Sequence, residues 1–209
     1  LILAHWDTRP FSDQDKTYKT KPFDGADDGG SGVAVILETA HELSRQKTDI
    51  GVDLLLVDDE DYGKDGIARS FCLGTQYWAA HPHVPNYTAD YGICLDMVGG
   101  KGAHFYREGQ SQQYAAAPMK MFWDTANQLG YSDYFRYDNI NVTIEDDHQY
   151  VNQIIHIPTF DIISLHNDIN SPFPAHWHTQ QDNMSIIDKN TLKAVGQTLL
   201  QVLYKHPSY

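Results

Sequence analysis

Three apolar runs in the chain each end in groups able to bind a metal ion. Leu1-Ile2-Leu3-Ala4 runs into His5-Trp6-Asp7, Val52 to Val57 into Asp58-Asp59-Glu60-Asp61, and Tyr91 to Leu95 into Asp96. Runs this short and this apolar suit buried strands, and in an open parallel sheet ligands bind in the crevice outside the carboxyl ends of the strands. Three such ends therefore predict one shared, strongly acidic site. Carboxylates crowded there would repel one another or take up protons, and a divalent cation is the simplest means of holding several of them ionised together. The runs confine the chain to an α/β fold with a metal site at one end of its sheet.

The segments between the runs read as helices. From Gly32 to Gln46, Val33, Ile36, Leu37, Ala40 and Leu43 recur at helical spacing, so a helix opening at Ser31 is expected to lay that face on the sheet. Gly74 to Ala80 is a further short helix. Tyr114 to Leu129 turns Met119, Phe122, Trp123 and Ala126 inward and is closed by Gly130, and Lys189 to Tyr204 carries Leu192, Val195, Leu199, Leu200 and Leu203 on one face. Val52 to Val57 is expected to be a strand covered on both faces. Ile154 to Ile157 and Thr159 to Ser164 bracket Pro158 and resemble a last strand with its approach segment. Arg9 to Lys21 is polar, ends at Pro22-Phe23-Asp24-Gly25 and reads as an exposed loop. This alternation implies a three-layer α/β/α architecture around a mostly parallel, mixed and twisted sheet, in one domain over residues 1–209. Position 1 already lies inside a core strand, so elements upstream of it are expected to be missing.

Composition narrows the partners. At 209 residues with 41% hydrophobic content the chain can bury a sizeable core. A formal net charge of −13 and the absence of any basic stripe argue against nucleic acid, which needs clustered Lys and Arg. No apolar stretch reaches the ~18 residues of a membrane span. Cys72 and Cys94 form no Cys-x-x-Cys pairing, so neither a disulfide framework nor a cysteine zinc site is signalled. One bridge between them stays open, although Cys94 inside its apolar run reads as a buried, inert thiol. Asn86, Asn141 and Asn183 each begin an Asn-x-Ser/Thr triplet, a pattern too short to establish a secretory route.

Three stretches carry chemistry. In Gly25-Ala26-Asp27-Asp28-Gly29-Gly30-Ser31-Gly32 the glycines permit positive φ and close backbone approach, while the two acids would repel a phosphate. Helix capping and metal ligation are both open to those acids. Glu60 and Asp61 are neighbours, so in an extended segment they point in opposite directions, one able to ligate metal while the other reaches a substrate. Ser171-Pro172-Phe173-Pro174-Ala175-His176-Trp177-His178-Thr179 offers a histidine ligand beside an aromatic wall in a proline-stiffened loop.

In order and spacing, His5-x-Asp7, Gly25-Ala26-Asp27-Asp28, Glu60-Asp61, Asp96 and His178-Thr179 resemble the co-catalytic zinc aminopeptidases of M28 type, over nearly the whole chain. The resemblance implies a zinc aminopeptidase-like (phosphorylase/hydrolase-like) fold, with Asp28, Asp61 and His178 as zinc ligands. It places His5 and Asp96 at the positions of the remaining ligands in two-zinc members, Glu60 as general base and Asp7 as an outer partner. Within that superfamily the chain is more similar to glutaminyl cyclases. Phe173-Pro174-Ala175-His176-Trp177-His178-Thr179 with Asp182-Asn183 resembles their Phe-Pro…Trp-His-Thr…Asp-Asn signature, and Glu145-Asp146-Asp147-His148 their Asp-Asp-His segment. The resemblance implies one Zn2+, peptide or protein N-termini as substrate, and an extracytoplasmic location. It further implies that Glu60 shuttles the proton, that Asp96 and Asp146 hold the developing ammonium, and that Asp161 supports them near the substrate. Trp177 and Phe173 would enclose the flat glutamine side chain. The chain departs from the animal cyclases in having Asp59-Glu60-Asp61 where they carry Gly-Glu-Glu, in lacking a Trp between Tyr62 and Ser70, and in carrying Asp161 where they have His.

Two other readings use the same residues. One is an aminopeptidase with two zinc ions bridged by Asp28 and Glu60 activating a water. The other is a non-catalytic binding domain that kept the fold.

Overall fold

The computed structural model describes residues 1–140 and 142–205, so Asn141 with its triplet lies outside the described residues, as do residues 206–209. In chain order the described residues form β1 (Ile2–His5), α1 (Gly30–Arg45), β2 (Leu54–Val57), α2 (Leu73–Ala80), β3 (Gly92–Asp96) and β4 (Phe105–Arg107). There follow α3 (Gly109–Gln128), β5 (Phe135–Asn139), the single turn α4 (Asp147–Tyr150), β6 (Thr159–Ile163) and α5 (Lys189–Lys205).

Four strands make the central sheet in the order β2-β1-β3-β6, and every pairing in it is parallel. β4 and β5 form a separate parallel pair. Gly100–Ile187 and Phe105–Ser164 are isolated antiparallel bridges. Side chains alternate across a strand, and the two faces of β1 show it. Ile2 and Ala4 join α1, α3 and α5 in the larger core with Ile36, Phe122, Trp123, Phe160 and Leu199. Leu3 points the other way, into a smaller core with Trp78, Cys94, Val151 and Ile157 beneath α2 and the segment after α4. The result is the three-layer α/β/α arrangement. No helix among the described residues is long and apolar enough to cross a membrane.

Four expectations need correction. α1 buries Ser31, Gly32, Val35, Ile36 and Thr39, whereas Leu37 is 59% exposed and Val33 is half-buried. The phase is set by Gly32, where an added Cβ would stand 2.4 Å from the Leu95 carbonyl oxygen and 2.9 Å from the Ala4 Cβ, so the helix approaches the sheet through a glycine. β2 is an edge strand of the described sheet and is not covered on both faces, and its Leu56 is 42% exposed. Ile154 to Ile157 is not a strand. Val151–Ile155 is a wide π turn continuing α4, because the Asn152 amide bonds the carbonyls of His148 and Thr159 and accepts from Thr159 N–H, and His156 then reverses the chain at φ 61. α3 begins at Gly109, ahead of Tyr114, since the Glu108 carboxylate caps it by accepting from the N–H groups of Gln110 and Ser111. A kink at Ala115 accommodates Pro118.

Candidate metal centre and its cavity

Parallel pairing places the carboxyl ends of β1, β2 and β3 side by side, and the three acid-tipped runs meet there. β1 delivers His5 at its last position and β3 delivers Asp96 at its last position, while Asp59, Glu60 and Asp61 follow directly on β2. The chain leaves these strands in unusual backbone conformations. Asp59 (φ 54) after β2 and Met97 (φ 47) after β3 occupy the left-handed region without being glycine, as does His178 (φ 51) in the loop between β6 and α5. Non-glycine residues held there cost energy and are retained where surrounding structure fixes them, commonly at functional sites.

Asp28 stands at the centre of the site. One of its oxygens is 3.3 Å from His5 Nε2, which is also 3.3 Å from Asp96 Oδ1. The other is 3.4 Å from His178 Nε2, which lies 3.1 Å from Asp61 Oδ1. Two three-residue clusters, His5–Asp28–Asp96 and Asp28–Asp61–His178, therefore share one carboxylate, and all five side chains are buried. Donors 2.0–2.2 Å from an ion at the centre of a tetrahedron stand about 3.3–3.6 Å apart, so the observed separations suit a small divalent ion of the zinc type. Asp28 Oδ2 and Asp61 Oδ2 are buried without a hydrogen-bond partner, as donors kept for an ion would be.

Neighbouring groups fix this donor set. The Asp7 carboxylate accepts from the N–H groups of Glu60 and Asp61, each at 3.1 Å, and lies 3.6 Å from His5 Nδ1. Asp182 accepts from the N–H groups of Asp27 and Asp28 at 2.8 and 3.1 Å. Asp27 accepts from Gly99 N–H and pairs with His176 Nε2, each at 2.8 Å. The loop that presents His178 thus also grips the loop that presents Asp28. This separates the two histidines of that loop: His178 faces the ion site and His176 secures Asp27.

Asp13 and Arg9 escaped the sequence reading, which took their segment for an exposed loop. Asp13 Oδ1 lies 3.3 Å from His178 Nδ1. Arg9 holds the other Asp13 oxygen through Nε at 2.8 Å and donates to the Asp61 and Gly63 carbonyls at 2.8 and 3.2 Å. A carboxylate on the far nitrogen of a ligating histidine fixes its tautomer and orientation. The available signal was the i,i+4 spacing of Arg9 and Asp13.

A cavity of 650 Å³ opens beside the clusters and is lined by Asp28, Glu60, Asp61, Asp96, Asp146, Phe173, Trp177 and His178, among others. Trp177 stacks on the His178 ring at 3.9 Å between centroids, and Phe173 stacks on Trp177 at 4.2 Å. Glu60 accepts from the Cys72 thiol at 3.2 Å, and Asp146 from the Cys94 thiol at 3.7 Å. Both cysteines are free and buried, so the open question of a bridge is answered. Asp161 is fully buried and is not among the cavity-lining residues. It sits in a cluster with Cys94 and Asp146, and both its carboxylate oxygens lack a hydrogen-bond partner. It lies against Asp146 and outside the cavity lining.

The acids differ in electrostatic state. Burial alone would raise Asp28, but the adjacent His178 and His5 rings hold it well below the usual carboxylate range. Burial and the neighbouring Asp61 push Glu60 well up, and burial with the charge of Asp28 does the same to Asp96 despite its contact with His5. Burial works against a charged His178, but Asp28 and Asp61 push it up to about 10. One carboxylate is thus poised to stay ionised while Glu60 is suited to carry a proton.

The sequence matches the model of Peptidase family M28 over residues 1–203. The chain belongs to peptidase family M28. It superposes on a Zn-dependent exopeptidase from Parabacteroides distasonis with 50% identity and a TM-score of 0.94, over 97% of this chain and 72% of that one. Porphyromonas gingivalis glutaminyl cyclase gives 49% identity and a TM-score of 0.93, over 99% of this chain and 72% of that one. The glutaminyl-peptide cyclotransferase of Gloydius blomhoffii is 28% identical over 231 residues, 95% of this chain. The chain spans 59% of the length of that relative. The M28 fold and the cyclase resemblance read from the motifs are borne out.

Proposed function

We propose that this M28 chain is a zinc-dependent glutaminyl cyclase, converting the N-terminal Gln of a peptide to pyroglutamate with release of ammonia. The observation that carries the reading is a cavity lined both by Trp177, stacked on the candidate ligand His178, and by Glu60, Asp96 and Asp146. The likeness to P. gingivalis glutaminyl cyclase supports it.

In this reading Asp28, Asp61 and His178 hold the zinc, which when bound polarises the γ-carbonyl of the substrate as a Lewis acid. Trp177 and Phe173 clamp the planar amide, and the cavity walls exclude bulk water that would compete as nucleophile. Asp96 and Asp146 accept hydrogen bonds from the neutral α-amine and orient its lone pair towards the γ-carbon. Glu60 takes a proton from the attacking amine and delivers it to the departing NH2 group, so the new N–C bond forms as the amide C–N bond breaks and ammonia leaves. Its raised proton affinity suits both halves of that transfer. Asp161 acts through Asp146, without touching the substrate.

A two-zinc aminopeptidase is the second reading, favoured by the His5–Asp28–Asp96 cluster, which offers a second three-donor set around the shared Asp28. One experiment separates them: zinc stoichiometry measured together with the products formed from a Gln-initiated and a Leu-initiated peptide. Ammonia without chain shortening, at one zinc per chain, is the expected result. Free amino acids at two zinc ions per chain would replace the cyclase with the peptidase. Glu60→Gln is expected to retain zinc and to lose turnover by at least about a hundredfold. Near-normal cyclisation by that variant would remove Glu60 from the proton-transfer role.

A further inference from the structure

The cavity is larger than one glutamine side chain, at 650 Å³, so the residues that follow the N-terminal Gln must cross its mouth. Burial separates floor from mouth. Asp28, Asp61, Asp96 and Asp146 are buried, whereas Gln14, Asp65, Thr143, Glu145 and Ile169 line the same cavity and are exposed. The mouth therefore presents two exposed carboxylates, Asp65 and Glu145, beside the partly buried Asp13 and Arg9, whose guanidinium also feels the charge of Asp65. Neither Asp65 nor Glu145 has an ion-pair partner within 4.0 Å among the described residues. Glu145 is held by the Tyr150 hydroxyl, which donates to it at 2.5 Å. The guanidinium of Arg69 lies over the ring of Tyr150 at 5.4 Å and donates to Gln76.

Arg9 is the only Lys or Arg among the described lining residues, and its donors are committed to Asp13 and to the carbonyls of Asp61 and Gly63. It has little left to offer an acidic substrate. An ion held by Asp28, Asp61 and His178 offsets charge at the floor and leaves the mouth negative. We propose, resting on the cyclase reading, that Asp65 and Glu145 make the mouth a charge filter, favouring peptides with a cationic residue after the N-terminal Gln and rejecting those with an acidic one. Focused fields of this kind act on encounter and on the exclusion of wrong partners.

The test compares kcat/KM for the amidated peptides Gln-Lys-Ala, Gln-Ala-Ala and Gln-Glu-Ala on the zinc-loaded chain, read by ammonia release at low and at high salt. At about 0.02 M salt Gln-Lys-Ala is expected to exceed Gln-Glu-Ala by about tenfold or more, and at about 0.5 M the ratio should shrink to within about threefold as exposed charges are screened. The Asp65→Asn, Glu145→Gln double variant, checked by its melting temperature, should show the small ratio already at low salt. Equal rates, a preference for Gln-Glu-Ala, or an unchanged ratio in the double variant would overturn the filter while leaving the cyclase reading intact. Absence of ammonia from all three peptides would overturn the cyclase reading, and the filter with it.

Discussion

Removing the Asp13 carboxylate tests whether the loop after β1 belongs to the metal centre. Asp13 approaches His178 Nδ1 at 3.3 Å and is itself gripped by Arg9, which also bonds the carbonyl of the candidate ligand Asp61. In Asp13→Ala the far nitrogen of His178 loses the carboxylate that stands against it and the ring can rotate away from Asp28 and Asp61. Loss of such an outer partner typically costs 10- to 100-fold in metal affinity. The Asp13 side chain is 33% exposed, so water replaces part of the lost interaction, and the lower end of that range applies. We expect zinc affinity to fall by about tenfold, equivalent to about 1.4 kcal/mol. Asp13→Asn keeps an acceptor oxygen and should lose less. Competition with a chromophoric chelator measures the affinity, and kcat at saturating zinc should recover most of the wild-type value. If Asp13→Ala binds zinc within twofold of the wild type, the carboxylate does not orient His178 and the loop only lines the cavity.

Three further outcomes follow from the geometry. Without metal, His178 titrates near 10 in the folded state against 6.5 for a free histidine, so its contribution is fully present below about pH 6.5 and is lost as pH rises towards 10. The raised Glu60 and Asp96 act in the same direction, so the melting temperature of the zinc-free chain should fall across that window. A flat or rising curve would contradict the assigned contacts. Zinc requires neutral His178, so the gain in melting temperature on adding zinc should grow over the same pH range, as differential scanning fluorimetry would show. Gly32→Ala puts a methyl group 2.4 Å from the Leu95 carbonyl oxygen and should cost about 1–3 kcal/mol in urea unfolding, and an unchanged midpoint would disprove the close approach.

The sequence made the strand ends legible because a short apolar run followed by acids carries both its structure and its chemistry in adjacent residues. His5, Asp61 and Asp96 needed only a parallel sheet to bring them together. Phe173 and Trp177 were legible for a similar reason, since a proline-stiffened loop keeps neighbours in sequence neighbours in space. What was hidden depends on distant partners. Leu56 looks like a core residue and becomes exposed only because no described strand lies beyond β2. Ile154 and Ile155 have the apolar look of a strand, but Asn152 bonds to Thr159 and winds the segment into a helical turn. Asp13 is one acid in a polar loop until the fold sets it against His178.

Asp96 is where the two readings of the site compete. As the last residue of β3 it touches His5 Nε2, as a ligand of a second ion would, and it also lines the cavity, as a partner for a substrate amine would. Its burial, with the charges of Asp28 and Asp146, favours the protonated form, and a second divalent ion would reverse that preference. His5 is the opposing influence, buried and held towards its charged form by Asp28, Asp7 and Asp96. A protonated His5 repels a second cation and leaves Asp96 paired but available at the cavity edge. His178 is held towards its charged form in the same way, so an ion at either cluster must displace a histidine proton, and the cyclase and two-zinc readings differ in whether a second ion does so at His5.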